Sequence, residues 1–203
     1  MLTMIDQGEQ RVLLRNISWQ LYESLLQEIG DEGQARLSYL QGDLEFMTPL
    51  PQHETYNRQI DRAITTIAEG LNQEYNLFGS MTAKCPEMAA GAEPDSCYYI
   101  ANEPAVRGKI KLDFEIDPPP DLVLEIDITS SLLDRMSIYA KLGVGELWRY
   151  DGKTLIFYHL QVDKYVEVAR SITFPILSPA RILEFITDCQ TQGILGSVKL
   201  LRT

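Results

Sequence analysis

The stretch Pro120-Asp121-Leu122-Val123-Leu124-Glu125-Ile126-Asp127-Ile128 decides how this chain is read. As a β-strand it alternates, with Leu122, Leu124, Ile126 and Ile128 on one face and Asp121, Val123, Glu125 and Asp127 on the other. Three carboxylates therefore converge on a segment otherwise apolar enough for a sheet core. Glu125 and Asp127 would stand roughly 6.5 Å apart at about 3.3 Å per residue, close enough to share a cation or to repel each other without one. A core strand rarely accepts that cost without compensation. Pro94-Asp95 lies upstream, and an acid opening one strand with another in mid-strand fits two neighbouring strands whose acids meet at one point.

Pro118-Pro119-Pro120 launches the acidic strand. After it, Ser130 or Ser131 can cap a helix through about Leu142, ended by Gly143 and Gly145. Glu146 to Tyr150, Thr154 to Leu160 and Tyr165 to Ala169, punctuated by Asp151-Gly152 and Asp163, read as an antiparallel C-terminal meander, and Pro179 opens a helix to about Cys189. Towards the N-terminus, Ser18 caps a helix to about Glu28, which breaks at Gly30 to Gly33. Arg36 to Leu40 and Asp43 to Met47 form a hairpin around Gln41-Gly42. From His53 to about Tyr75, Tyr56, Ile60, Ala63, Ile64, Ile67 and Leu71 recur at helical spacing. Leu77 to Ala83 and Asp95 to Ile100 read as strands separated by a loop. The pattern predicts an α/β fold, a mixed β-sheet flanked by helices, in one domain spanning residues 1–203.

At 203 residues, with 45% hydrophobic and 23% charged residues, the chain can bury a sizeable core. No apolar run approaches the roughly 20 residues of a membrane-spanning helix, so the expectation is a cytoplasmic protein with no membrane partner. Cys85, Cys97 and Cys189 are too far apart for a disulfide framework or zinc site, and read as free thiols. A net charge of −11 opposes nonspecific gripping of phosphate backbones. Arg107, Lys109 and Lys111 form one local basic cluster, read as a solvated loop.

A carboxylate pair on a sheet with a third acid nearby suits a hard divalent cation such as magnesium, which needs oxygen ligands and open positions for water and phosphate. His53 and Glu54 open the long helix; at 100° per residue His53 shares the side of Tyr56 and Ile60, whereas Glu54 projects roughly 130° from the stripe's centre. His159 has no partner at metal-ligand spacing. The sequence contains neither a Gly-x-Ser-x-Gly elbow nor a phosphate-cradling glycine loop with Lys-Ser/Thr.

Gly42-Asp43-Leu44-Glu45-Phe46-Met47-Thr48-Pro49 followed by His53-Glu54, Glu93-Pro94-Asp95, Pro119-Pro120-Asp121-Leu122-Val123-Leu124-Glu125, and Tyr139-Ala140-Lys141-Leu142-Gly143-Val144 leading to Glu146-Leu147-Trp148 jointly form a specific pattern. With it the chain resembles the Uma-two restriction-endonuclease-like family, a large bacterial group in the PD-(D/E)xK nuclease superfamily. The resemblance spans most of the chain. It implies a restriction-endonuclease-like sheet flanked by helices, with Asp95 and Glu125 as the paired metal-binding acids and Asp121 as a strand-entry residue. The expected activity is hydrolysis of DNA phosphodiester bonds with Mg2+ or Mn2+. Asp127 would be an added ligand or an acid behind the ligands, and His53 or Glu54 would stand at the edge of the site.

The superfamily places a lysine two residues after the second acid, where this chain has Asp127. The family's substitute position on the following helix holds Arg135, which flanks the stripe of Leu132, Met136, Tyr139 and Ala140 and would face the phosphate. Arginine stabilises phosphoryl charge but stays protonated and cannot act as a base. The competing expectation is a catalytically silent domain kept as a binding or oligomeric module, such as a homodimer. A third is an unrelated sheet protein whose acids merely face solvent.

Overall fold

The acidic strand lies inside a sheet covered on both faces, and every residue from Leu122 to Ile126 is buried. The computed structural model describes residues 9–30, 35–79, 81–114 and 116–202. In chain order the elements are β1 (Gln10–Leu14), α1 (Trp19–Ile29), β2 (Arg36–Leu40), β3 (Asp43–Thr48), α2 (Pro51–Gly70), β4 (Asn76–Gly79), β5 (Ala83–Cys85), β6 (Ala90–Ala92), β7 (Ser96–Tyr99), α3 (Glu103–Val106), β8 (Leu122–Ile126), α4 (Arg135–Lys141), β9 (Glu146–Tyr150), β10 (Leu155–Gln161), β11 (Lys164–Val168) and α5 (Pro179–Leu201). They build two sheets rather than one. The larger runs β11-β10-β9-β8-β7-β4 and the smaller β1-β3-β2-β6-β5. β8 and β9 are parallel and the other neighbours antiparallel, so the larger sheet is mixed and ends in the expected meander.

Alternation along β8 separates two cores. Leu122, Leu124 and Ile126 join Trp148, Phe157, Ile60, Ile64 and Phe185 beneath α2 and α5. Val123 faces the other way, with Cys97, Leu147, Ile138 and Tyr139, against α4 and the small sheet's Ala90 and Ala92. Glu125 shares the second face, so the acids lie where the two sheets meet.

Several local signals act as expected. The Ser18 side chain accepts from Leu21 N at 3.2 Å and caps α1. The hairpin turns on Gln41 (φ 50°) and Gly42 (φ 99°), both left-handed, as a tight two-residue turn between right-twisted strands requires. Residues 31–34, which include the far end of the expected break after α1, lie outside the described residues.

Several boundaries differ, and α2 ends at Gly70, short of the expected Tyr75. α2 starts at Pro51, because proline fits the first helical position, where no N–H is needed. α4 is capped by Asp134, whose side chain accepts from Ser137 N at 3.2 Å, and not by Ser130 or Ser131. Leu132 is consequently outside the helix and half exposed, not part of an apolar stripe. α5 continues to Leu201 across a break at Gly193 (φ 77°, ψ 162°). β1, β5 and β6 were not expected: Ala90-Gly91-Ala92 carries little strand propensity, and it packs because a Cβ on Gly91 would meet the Tyr22 hydroxyl at 2.5 Å.

Candidate active site

Ser96 pairs with Leu124 in the β7–β8 ladder, and one further step places Asp95 opposite Glu125. There the ladder changes character. Asp95 Oδ2 accepts from Ile126 N at 2.6 Å, so the carboxylate takes an N–H that a strand carbonyl would otherwise take. Asn57 fixes this corner to α2: its amide donates to the Asp95 carbonyl at 3.2 Å and its oxygen accepts from Ser96 Oγ at 2.9 Å. One turn earlier on the same helix face, His53 is fully buried with Nε2 3.2 Å from Asp95 Oδ2. Neither imidazole nitrogen has an aligned hydrogen bond. Burial, with Arg36 and Arg135 nearby, lowers its pKa to about 4, so His53 is neutral at pH 7.

The expected acids are brought together, and all are buried; the solvent-facing alternative is thereby overturned. What surrounds them is a set of arginines. Arg36, the first residue of β2, pairs with Asp95. Arg135 Nη1 lies 2.7 Å from Glu125 Oε2, and its Nη2 pairs with Asp127. Arg149, in register with Glu125 on β9, donates Nε and Nη2 to Asp127 Oδ2 at 3.1 and 2.9 Å. Arg11 Nη2 lies 3.5 Å from Asp127 Oδ1 and also binds Glu9 at 2.9 Å, while its Nη1 binds Glu45 at 2.8 Å. Both oxygens of Asp127 are thus occupied by guanidinium groups.

The protonation states follow this arrangement. Burial pushes the Asp127 carboxyl up, but Arg135, Arg149 and Arg11 outweigh it and hold the group below its ordinary value. Burial dominates at Glu125 and raises it, against the pull of Arg135 and a hydrogen bond donated by the Tyr139 hydroxyl. Burial disfavours the Arg135 charge too, yet Glu125 and Asp127 overcome it and its pKa rises. Arg36 goes the other way: burial lowers it and Glu125 compensates only in part.

Glu54 stands at the rim and pairs with Arg58 at 2.6 Å, both half exposed or more. Asp121 is the strand-entry residue, accepting from Ile100 N at 2.6 Å and Asn102 N at 3.0 Å. A polar cavity of about 210 Å³ opens onto the cluster, lined by Glu125, Asp127, Ser131, Arg135, Tyr139 and Arg149 among others. Sequence reasoning missed Glu9, Arg11, Arg36, Asn57 and Arg149, and used Glu45 and Tyr139 only as motif residues. Arg36 and Glu45 sit in the hairpin whose strands were recognised, so its inward face was the available signal. Arg107 and Lys109 are taken up locally by Glu103 and Asp117.

Among the described residues no group of three or more His, Cys, Asp or Glu is arranged to hold a metal ion. A magnesium ion commonly takes one or two carboxylates and completes its shell with water and substrate phosphate. Asp95 and Glu125 supply the buried carboxylate oxygens that such an ion takes, and arginines hold them here: Arg36 pairs with Asp95 and Arg135 with Glu125.

Among the described residues no helix is long and apolar enough to cross a membrane. No curated protein matches the chain. The fold is similar to that of a crystal structure described as "a putative nuclease belonging to DUF820 from Anabaena variabilis ATCC 29413", with a TM-score of 0.54 and 16% identity over 83% of this chain and 98% of that one. At that identity the likeness concerns the fold alone. The sequence itself matches the Uma2 family, described as "Putative restriction endonuclease", over residues 19–186, and the chain belongs to that family.

Proposed function

We propose that this protein is a metal-dependent nuclease that hydrolyses DNA phosphodiester bonds through a PD-(D/E)xK-type site, with Asp95 and Glu125 holding Mg2+ or Mn2+. The observation that carries the reading is the placement of Asp95, immediately before β7, opposite Glu125 of β8, with its carboxylate accepting from Ile126 N. When bound, the ion supplies an activated water and stabilises phosphoryl charge. The chain's own residues prepare the place. The Tyr139 hydroxyl and Arg135 fix Glu125, while Ile126 N fixes Asp95, with His53 Nε2 packed 3.2 Å from it. Arg149 reaches the cavity mouth with 35% of its side chain exposed, and it presents positive charge to a substrate phosphate. Asp127 anchors Arg135 and Arg149 in this reading and stands outside the ligand set; Glu54 borders the entrance.

The test is cleavage of plasmid DNA with Mg2+ or Mn2+. Asp95→Ala and Glu125→Ala are expected to lose at least about a hundredfold in rate. Cleavage equal to wild type by both variants ends the reading. One observation favours a second reading, a silent binding or oligomeric module: each buried acid of the cluster already has an arginine of its own chain. Folded wild-type protein that never cleaves, yet sediments as a stable homodimer, would support that alternative.

A further inference from the structure

The cluster contains five buried carboxylates, Glu9, Glu45, Asp95, Glu125 and Asp127, and four arginines, Arg11, Arg36, Arg135 and Arg149. Counting carboxylates and guanidinium groups alone, the negative charges exceed the positive by one. The arginines are not equivalent. Arg135 bridges two acids from a helix and is 6% exposed. Arg11 serves Glu9, Glu45 and Asp127 together. Arg149 is fixed to Asp127 by two aligned hydrogen bonds. Arg36 pairs with Asp95 alone among these acids.

We propose that Arg36 is a built-in counter-ion of the Asp95–Glu125 pair, which a divalent cation displaces on binding. The proposal rests on the nuclease reading of the same two acids. Exchange of one guanidinium for a doubly charged ion takes the cluster from one excess negative charge to neutrality. Without any ion, Arg36 spares the acids the cost of an uncompensated buried charge, which is why the apo site can stay folded and closed. Position makes the exchange feasible. Arg36 begins β2, where it pairs with Met47 of β3 but precedes the residues that pair with β6, and rotation of one long side chain frees Asp95. A cation shared by the two acids takes over Asp95, the carboxylate that pairs with the Arg36 guanidinium. Metal affinity is therefore set by a competition inside the chain, and a residue that never touches the ion tunes it.

Titration calorimetry with Mn2+ alone tests this on wild type, Arg36→Gln and Arg36→Gln combined with Glu125→Gln, with circular dichroism to verify the fold. Arg36→Gln should bind Mn2+ at least tenfold more tightly than wild type, and the added Glu125→Gln should abolish the gain. Arg36→Lys, which keeps the charge on a compact ammonium, should fall between wild type and Arg36→Gln, and it carries the test if the glutamine variant does not fold. Glu125-dependent binding by wild type that is no tighter in either Arg36 variant overturns the exchange and leaves the nuclease reading standing. Absence of Mn2+ binding in every protein overturns both.

Discussion

The larger sheet carries acids of two kinds, at opposite ends of its central parallel pair. At the entry end, Asp121 accepts from two backbone N–H groups, and Glu146 from Trp148 Nε1 at 2.6 Å and from Ile172 N and Thr173 N at 3.1 and 2.7 Å. At the exit end, Asp95, Glu125 and Asp127 are balanced chiefly by arginine side chains. An acid satisfied by backbone donors is part of the fold and cannot exchange its partners without unfolding a turn. An acid paired with guanidinium side chains can. That difference sets the exit end apart, although both ends read as strand-borne carboxylates.

The largest expected effect comes from removing the guanidinium that ties two acids together. Arg135→Ala leaves Glu125 and Asp127 buried with diminished compensation, and urea unfolding should show a destabilisation of about 3–5 kcal/mol. A value below about 1 kcal/mol would mean that the exit-end acids are not held by charge, and the contrast would collapse.

His53 gives the exit end a pH signature. Its folded pKa lies at about 4, below the ordinary 6.5, so below pH 6.5 the unfolded chain takes up a proton that the folded chain refuses until pH 4. Stability should fall by about 3 kcal/mol as pH drops through that window. Arg36 from β2 and Arg135 from α4 oppose the imidazolium, while Glu54 and Asp127 favour it. Glu125 has the opposite slope, because a carboxyl raised by burial favours the fold at low pH and loses that contribution as pH rises. His53→Gln should remove the His53 slope and leave the Glu125 slope behind; an unchanged pH profile between 6.5 and 4 would contradict the neutral imidazole.

The entry end sharpens the comparison from the other side. Asp121→Ala orphans the N–H groups of Ile100 and Asn102, at a cost of about 2 kcal/mol. Mn2+ affinity should stay within about twofold of wild type. A larger drop would show that the two ends communicate.

Much of this was legible in the sequence because it follows from local rules. Alternation in Leu122–Ile126 put Glu125 on the face of Val123, Ser18 announced α1, and Gln41-Gly42 announced the hairpin. Helical phase aimed His53 inward and Glu54 outward, as the structure has them. The arginine set was not legible because it is assembled by long-range packing. Arg11 and Arg36 come from the second sheet, and nothing in their own neighbourhoods says that the two sheets meet at Asp95 and Asp127. The puzzle of an acid in the lysine position has the same origin: Asp127 makes sense only once Arg135, Arg149 and Arg11 are seen around it.

Arg149 tests whether Asp127 positions positive charge for a substrate. Its side chain is 35% exposed, so Asp127 holds it in partial contact with water, and the pair alone contributes little to stability, about 1 kcal/mol or less. Arg149→Ala should therefore unfold within about 1 kcal/mol of wild type while weakening DNA binding, read by fluorescence anisotropy of a labelled duplex. If Arg149 neutralises one phosphate, its removal should make the slope of log affinity against log salt shallower by about 0.9. Asp127→Asn should weaken binding in the same direction even though it removes a negative charge from an acidic protein, because it releases Arg149 from its two hydrogen bonds. Tighter DNA binding by Asp127→Asn would show instead that the acid repels the substrate and does not position a cation for it, and the exit-end acids would then be part of the fold, as those of the entry end are.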